Sequence, residues 1–146
     1  MRPELLLRIA SGLTFVHAAL HTVGGVFGKP APGAQQAVTA VMQSTRFQVM
    51  GDLTRTFWDF YFGMGLAVSV FLTAEAVILW QLSALAKTDA LRIRPLLATF
   101  LLGYLCLAVV TYTYIFTAPA VTEILIALCL GLAIFRSSPA SKALAG

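Results

Sequence analysis

The stretch of sequence that decides the fold is FWDFYFGMGLAVSVFLTAEAVILWQLSAL, residues 57–85. It is interrupted only by single polar residues, and it exceeds the roughly 20 residues that an α-helix needs to cross a bilayer. Three more apolar runs occupy about residues 5–27, 95–116 and 119–135. The four runs predict an all-α fold: an integral membrane four-helix bundle in one domain over residues 1–146, with one longer outer loop at residues 28–56.

The composition also indicates a membrane protein, because 59% of the 146 residues are hydrophobic and only 11% are charged. A soluble domain normally carries about a quarter charged residues. Backbone groups in lipid must bond to one another, so spans are helices or closed barrels, and long continuous runs are not typical of barrel strands. Membrane lipid is an expected partner. The net charge of +4 comes from basic residues at segment ends, where they anchor helices at headgroups, so no nucleic-acid partner is expected.

The orientation follows from the Lys and Arg residues near the ends of the spans, which favour the cytoplasmic side. With four spans, both termini and the loop between the second and third spans share one side. That side carries Arg2, Arg8, Lys87, Arg92, Arg94, Arg136 and Lys142, whereas the other side carries Lys29, Arg46 and Arg55. This difference predicts that both termini are cytoplasmic.

The outer loop contains an amphipathic segment. A helix over residues 34–43 would place Val38, Val41 and Met42 on one face, with glutamines elsewhere. This pattern predicts a short interfacial helix on the outer membrane surface. Such a helix would roof a cavity between the spans, although a plain connector is the commoner role.

Two cysteines, Cys106 and Cys129, lie inside the third and fourth apolar runs. The chain has no CxxC pair, so buried structural roles are favoured for both thiols. A disulfide between them stays open at this stage because both lie at similar depth.

Ionisable residues inside spans are candidates for function because they are costly in lipid. His21, Asp59 and Glu123 each lie within about two turns of the outer end of their helix. Tyr112 and Tyr114 close the outer end of the third span at similar depth. This convergence predicts an outward-facing polar pocket, with His21 and either Asp59 or Glu123 as a proton-exchanging pair and the tyrosines as ligand-binding residues.

A second histidine extends this pocket, because His17 lies four residues before His21 on the same helix face. We expect His17 to contribute to ligand binding, although hydrogen bonds to neighbouring helices are the simplest role for both rings. The pair also fits a transition-metal site completed by carboxylates. The glutamate of an HExxH motif is missing, so a metal is not favoured, haem is favoured still less, and the cofactor stays unknown.

Asp59 has a structural alternative, since Thr56-x-x-Asp59 fits a capping box at the start of a helix. Arg55 lies one turn before Asp59 and Trp58 beside it, so both are candidate ligand-binding residues. Glu123 has a similar alternative role because it lies near the start of the fourth span. Both alternatives stay open here.

Glu75 lies about 24 Å deeper than Asp59 and on nearly the opposite face of its helix. The sequence favours a structural ion pair for this carboxylate, with Arg8, Arg92 or Arg94 as the partner. Glycines in the first two spans favour close helix packing rather than binding.

Several short motifs resemble those of DoxX-like four-span bacterial membrane proteins. They are RIASG at residues 8–12, His17, HTVG at residues 21–24, Gly51, RTFWDFY at residues 55–61, GMGL at residues 63–66 and YIFTAP at residues 114–119. The resemblance covers most of the chain and places it in an uncharacterised branch of that group. It implies a four-helix bundle in a bacterial inner membrane. Some DoxX-like proteins are linked to quinone-dependent oxidation of sulfur compounds, but no residue here carries that chemistry over.

Three functions are compatible with these features. The first is a membrane protein whose pocket binds an apolar or amphiphilic small molecule, with acid–base catalysis of the isomerase or hydrolase type as its enzymatic form. The second is a non-catalytic accessory subunit that binds a quinone or a lipid. The third is a small transporter, which the lack of an internal repeat disfavours. A homo-oligomer is left open.

The predicted orientation is tested by cysteine labelling of intact cells, after Cys106 and Cys129 have been replaced by alanine. A membrane-impermeant maleimide should label Gln36→Cys and leave Thr88→Cys unlabelled until the cells are opened. Labelling of Thr88→Cys without labelling of Gln36→Cys would reverse the orientation.

Overall fold

A computed structural model describes residues 2–137 of the chain, and Lys142, which counts towards the predicted orientation, lies outside them. The described residues form five α-helices, one π-helical segment and two strands. Their bounds are α1 Pro3–Leu20, the π-helix His21–Val26, α2 Ala34–Ser44, β1 Arg46–Met50, β2 Leu53–Thr56, α3 Phe57–Asp89, α4 Arg94–Tyr114 and α5 Thr117–Arg136.

Four helical segments are long and apolar enough to cross a membrane: Pro3–Val26, Phe57–Asp89, Arg94–Tyr114 and Thr117–Arg136. They match the four predicted spans, which confirms the all-α fold class. The chain is therefore a multi-pass membrane protein. Side chains described below as exposed are those that face out of the folded chain, where lipid or water surrounds them.

The described chain divides into two compact units. The first unit contains α1 up to His17, α3 from Leu72 onward, α4 and α5. Each of these helices contributes a fully buried leucine to one core, and these are Leu7, Leu79, Leu97 and Leu130. This unit is a four-helix bundle. The sequence predicts a hairpin with a tight turn around residues 117–119; the α4–α5 hairpin is present and joins the two helices in closest contact, but its turn lies at residues 115–116 and α5 already begins at Thr117.

Helical periodicity explains which face of α5 is buried. The buried stripe recurs every three or four residues, with one adjacent pair at 126 and 127, and consists of Ala120, Glu123, Ile126, Ala127, Leu130 and Ala133. The intervening large apolar residues, such as Leu128 and Leu132, are exposed. This arrangement is typical of a membrane bundle, in which lipid solvates apolar side chains on the outside.

The second unit covers residues 18–71 and includes the predicted outer loop. The predicted interfacial helix is present as α2, and none of its residues is buried. Its role as a roof over a pocket stays a prediction.

An antiparallel hairpin in the same loop was not predicted. It pairs β1 with β2 and turns at Gly51, whose φ of 55° lies in the left-handed region that favours glycine. The Gly51-Asp52 pair is the sequence signal for this turn. It was overlooked because the strands are only five and four residues long.

The cysteine predictions are corrected in part. Both thiols are free, which removes the disulfide alternative. Cys106 is exposed, so the prediction that it is buried is wrong, whereas Cys129 is half-buried.

Candidate functional site

A chain of polar contacts joins three helices of the first unit. The Tyr104 hydroxyl of α4 donates a hydrogen bond to Glu75 Oε2 of α3 at 2.9 Å. The same hydroxyl lies 3.0 Å from Thr14 Oγ1 of α1, and Thr14 in turn lies 2.9 Å from the Ala10 carbonyl. Tyr104 is 3% exposed and Thr14 is fully buried. These polar contacts connect α1, α3 and α4, and lipid acyl chains offer no hydrogen-bonding groups that could take their place.

This polar chain lies at mid-depth rather than at either end of the helices. Tyr104 is the midpoint of α4, about 15 Å from each end at 1.5 Å per residue. An ionisable residue at that depth costs about 2.5 kcal/mol or more on insertion scales, and such residues mark functional sites by default. Glu75 is therefore a stronger candidate than its sequence position indicated.

The predicted ion pair of Glu75 is wrong. Arg8 lies over the ring of Trp80, with 5.2 Å between its guanidinium carbon and the ring centre. Neither Arg92 nor Arg94 reaches Glu75 in the described part of the chain. Arg92 and Arg94 lie too far along the helix axis from a residue bonded to the middle of α4, whereas Arg8 lies on the Trp80 ring instead.

A cleft opens beside Glu75 on the surface of the bundle. It has a volume of about 400 Å³, and we call it the Glu75 cleft. Its lining residues are Glu75, Thr99, Phe100, Gly103, Tyr104 and Leu107. This size and this mixture of an apolar wall with a few polar groups are typical of small-molecule sites.

The available hydrogen-bonding groups of the cleft can be counted. The Tyr104 hydroxyl already donates its hydrogen to Glu75, and the Thr99 hydroxyl donates to the Pro95 carbonyl at 3.1 Å. Glu75 is half-buried, and among the described residues its second oxygen, Oε1, has no hydrogen-bond partner. The cleft therefore presents an acceptor and no free side-chain donor.

Glu123 is the second buried carboxylate of this unit. It is 2% exposed, and its Oε1 accepts a hydrogen bond from Thr111 at 3.1 Å. Its Oε2 is buried without a partner within residues 2–137. Glu123 also lies close enough to Tyr104 to interact with it electrostatically. The prediction that Glu123 turns into the protein rather than towards lipid agrees with this burial, and its proposed proton-transfer role stays a prediction.

His21 belongs to the second unit and lies at the first position of the π-helix. Its Nε2 is 3.1 Å from the Gly65 carbonyl of α3, and its ring packs against Gly25, where a Cβ would lie 3.5 Å from Nδ1. The wider π-helical turn was not predicted. Such turns occur often at functional sites, but this imidazole already has a backbone partner.

Asp59 forms the capping box that its spacing allows. The Thr56 amide donates to Asp59 Oδ2 at 2.8 Å, and the Asp59 amide donates to Thr56 Oγ1 at 3.1 Å. These reciprocal bonds start α3 at Phe57 and confirm the structural alternative. Asp59 and His21 bond to different partners, so no contact joins them as an acid–base pair.

The remaining predicted ligand-binding residues lie in different surroundings. His17 is buried at 9% exposure, whereas Tyr112 and Tyr114 are 70% and 81% exposed. Near the outer end of α4 the buried residue is Thr111, next to Tyr112. Arg55 is exposed and bonds to the Thr54 carbonyl, and Trp58 packs against the Tyr61 and Phe62 rings. Their ligand-binding roles stay predictions.

Tyr104 is the residue that the sequence analysis missed. It lies in a continuous apolar run, where a tyrosine is easily taken for an apolar aromatic residue. The available signal is its position midway along the span, because tyrosine prefers the membrane interfaces and a central tyrosine needs a hydrogen-bond partner. Between residues 2 and 137, no group of three or more His, Cys, Asp or Glu residues is arranged to hold a metal ion.

No family model, curated protein or solved structure matches this chain. The fold and its four spans define a multi-pass membrane protein, and the resemblance to DoxX-like proteins stays a prediction.

The capping role of Asp59 is tested by replacing each member of the box. Asp59→Ala and Thr56→Ala should both lower the thermal stability of the purified protein, Thr56→Ala by about 1 kcal/mol, because each leaves a helix-terminal amide unpaired. The double variant should lose about as much as the two single variants together, because each substitution breaks a different hydrogen bond of the box. Asp52→Ala, an exposed acid in the hairpin turn, is the control. Unchanged stability of Asp59→Ala would return Asp59 to the list of site residues.

Proposed function

We propose that this protein binds an amphiphilic small molecule within the bilayer, and that the polar end of the ligand lies on Glu75. The observation that carries the proposal is Oε1 of Glu75, which has no hydrogen-bond partner among residues 2–137 and lies in an apolar cleft at mid-depth of the bundle. A ligand dissolved in the bilayer reaches such a cleft without crossing water. The proposed site is therefore deeper than the outward-facing pocket expected from the sequence.

The donor and acceptor count supports one chemical class of ligand. As a carboxylate, Glu75 accepts hydrogen bonds, and the Tyr104 and Thr99 hydrogens are already used within the protein. A hydroxyl, a phenol or an amine satisfies the free oxygen, whereas a ketone, an ester or a quinone carbonyl finds no side-chain donor. The quinone alternative is thus supported only for the reduced form, whose hydroxyls donate.

The cost of placing the Glu75 charge in the bilayer exceeds what one hydrogen bond contributes, which favours a second hydrogen-bond donor to this carboxylate. A charged side chain at mid-depth costs about 2.5–3.5 kcal/mol on insertion scales. Hydrogen bonds between membrane helices average about 0.6 kcal/mol and reach about 1.7 kcal/mol. The bond from Tyr104 therefore offsets only part of the cost, and a donor on the ligand would offset more.

The proposal is binding without a reaction. An enzymatic function would need His21 with Asp59 or Glu123 as an acid–base pair. In the structure His21 contacts a backbone carbonyl, Asp59 forms a capping box and Glu123 accepts from Thr111.

We extend the proposal to a bacterial inner-membrane location with cytoplasmic termini. The basic residues at one set of span ends and the DoxX-like motifs support this location.

The proposed class is tested with a photoreactive diazirine on a long-chain alcohol and on its methyl ether. With the protein in phosphatidylcholine nanodiscs, the alcohol should crosslink to residues 99–107 about tenfold more than the ether. This factor corresponds to about 1.4 kcal/mol, near the lower end of the roughly 1.5–3 kcal/mol that one hydrogen bond to a charged group contributes. Peptide mass spectrometry locates the crosslinks.

Gly103→Leu is the matched test of the cleft itself. A Cβ at Gly103 meets nothing within 4 Å, so the leucine fills the cleft without disturbing the packing and should abolish crosslinking there. Gly63→Leu is the control, because Gly63 is also an exposed helical glycine with open space at its Cβ and lies outside the cleft. Equal crosslinking of alcohol and ether, or undiminished crosslinking of Gly103→Leu, would contradict the proposal.

A further inference from the structure

A second groove lies between α1 and α3 of the first unit. It has a volume of about 320 Å³ and an almost wholly apolar wall. Its lining residues are Ser11, Gly12, Phe15, Ala76, Val77 and Trp80, so it shares no residue with the Glu75 cleft. A ligand in this groove would therefore bind independently of one in the Glu75 cleft.

The two helices are held together beneath this groove by one hydrogen bond. Ser11, which is 6% exposed, donates to the Ala76 carbonyl at 2.7 Å. This bond uses the only donor among the lining side chains apart from the Trp80 indole. Gly12 leaves open space, because a Cβ there would meet nothing within 4 Å. The groove is thus almost wholly apolar and has open space at Gly12.

A cation lies at one end of the groove. The Arg8 guanidinium carbon is 5.2 Å from the centre of the Trp80 ring, and Arg8 is exposed. Glu4, one turn earlier on α1, is 4.0 Å from Arg2 instead. Arg8 is therefore without an acidic partner among the described residues, and Trp80 holds it at the mouth of the groove.

Helix geometry relates the cation to the groove. Arg8, Gly12 and Phe15 lie at i, i+4 and i+7 on one face of α1, and they span about 10 Å along the axis. A ligand on Arg8 can therefore extend an apolar chain past Gly12 towards Phe15. Arg8 lies five residues from the start of α1, so its long side chain can reach towards the headgroups, whereas the groove from Gly12 to Phe15 lies at the level of the acyl chains.

The end of the bundle that carries Arg8 is also rich in positive charge. Towards the start of α1, Ser11 contacts Ala76 and Arg8 contacts Trp80, so the start of α1 lies beside the end of α3 and, after a short turn, the start of α4. The basic residues there are Arg2, Arg8, Lys87, Arg92 and Arg94, and the acidic residues are Glu4 and Asp89. Clusters of basic residues at a membrane surface attract anionic lipids.

We propose that an anionic phospholipid binds here, with its phosphate on Arg8 and one acyl chain in the groove between α1 and α3. The charge of Arg8 and of the surrounding basic residues selects an anionic headgroup. The groove from Gly12 to Phe15 holds the chain and restricts the site to one lipid molecule.

Native mass spectrometry of the full-length protein tests this site with phosphatidylglycerol and phosphatidylcholine of identical acyl chains. The unmodified protein should retain one phosphatidylglycerol about tenfold more tightly than phosphatidylcholine. Arg8→Gln should remove this preference, while Arg92→Gln, which removes the same charge at the same end of the bundle, should keep most of it. If both variants lost this preference equally, the lipid would be attracted by the overall surface charge rather than by Arg8, and the proposed site would be wrong.

The acyl chain is tested separately with Gly12→Leu, which fills the groove. Gly12→Leu should weaken the binding of both lipids, whereas Gly63→Leu should leave the binding of both unchanged. Glycerol phosphate, which has the headgroup chemistry without the chains, should not displace phosphatidylglycerol. Full retention of lipid by Gly12→Leu, or displacement by glycerol phosphate, would contradict a lipid bound in this groove. Thermal unfolding of each variant verifies that it is folded before the lipids are compared.

Discussion

The hydrogen bond from Tyr104 to Glu75 is the interaction on which the first unit depends. It places a carboxylate midway along the spans, where lipid offers it no hydrogen bond, and it uses the single hydroxyl hydrogen of Tyr104. Through Thr14 the same contacts reach α1. An apolar bundle in lipid has little hydrophobic force to hold its helices together, so specific polar contacts and close packing have to do so.

The same bond determines what the neighbouring cleft can recognise. Because Tyr104 is committed to one carboxylate oxygen, the cleft has an acceptor on Glu75 Oε1 and no side-chain donor to match it. The hydrogen bond from Tyr104 to Glu75 thus determines which ligands the Glu75 cleft can bind. Tyr104 belongs both to this cleft and to the core of the unit. The groove at Arg8 is different, since it combines a cation that has no acidic partner within residues 2–137 with an apolar wall, and it lies towards one end of the spans.

The sequence predicted those features that depend on neighbouring residues in the chain. The length of each apolar run fixed the four spans, and the spacing of Thr56 and Asp59 indicated the capping box that the structure contains. Features that depend on pairing between helices were not accessible in this way. Which residue meets Glu75 is decided by how α3 packs on α4, and spacing along one helix contains no information about its neighbour. Of the predicted arginine partners, Arg92 and Arg94 lie too far along the axis from Glu75, and Arg8 lies on the Trp80 ring.

The central claim, that Tyr104 and Glu75 stabilise the bundle through each other, is tested most directly by a double-mutant cycle. Thermal unfolding would be measured for the unmodified protein, Glu75→Leu, Tyr104→Phe and the double variant in the same detergent. A direct hydrogen bond predicts a coupling free energy of about 0.5–3 kcal/mol between the two sites. Additive effects, with a coupling below about 0.3 kcal/mol, would contradict the account.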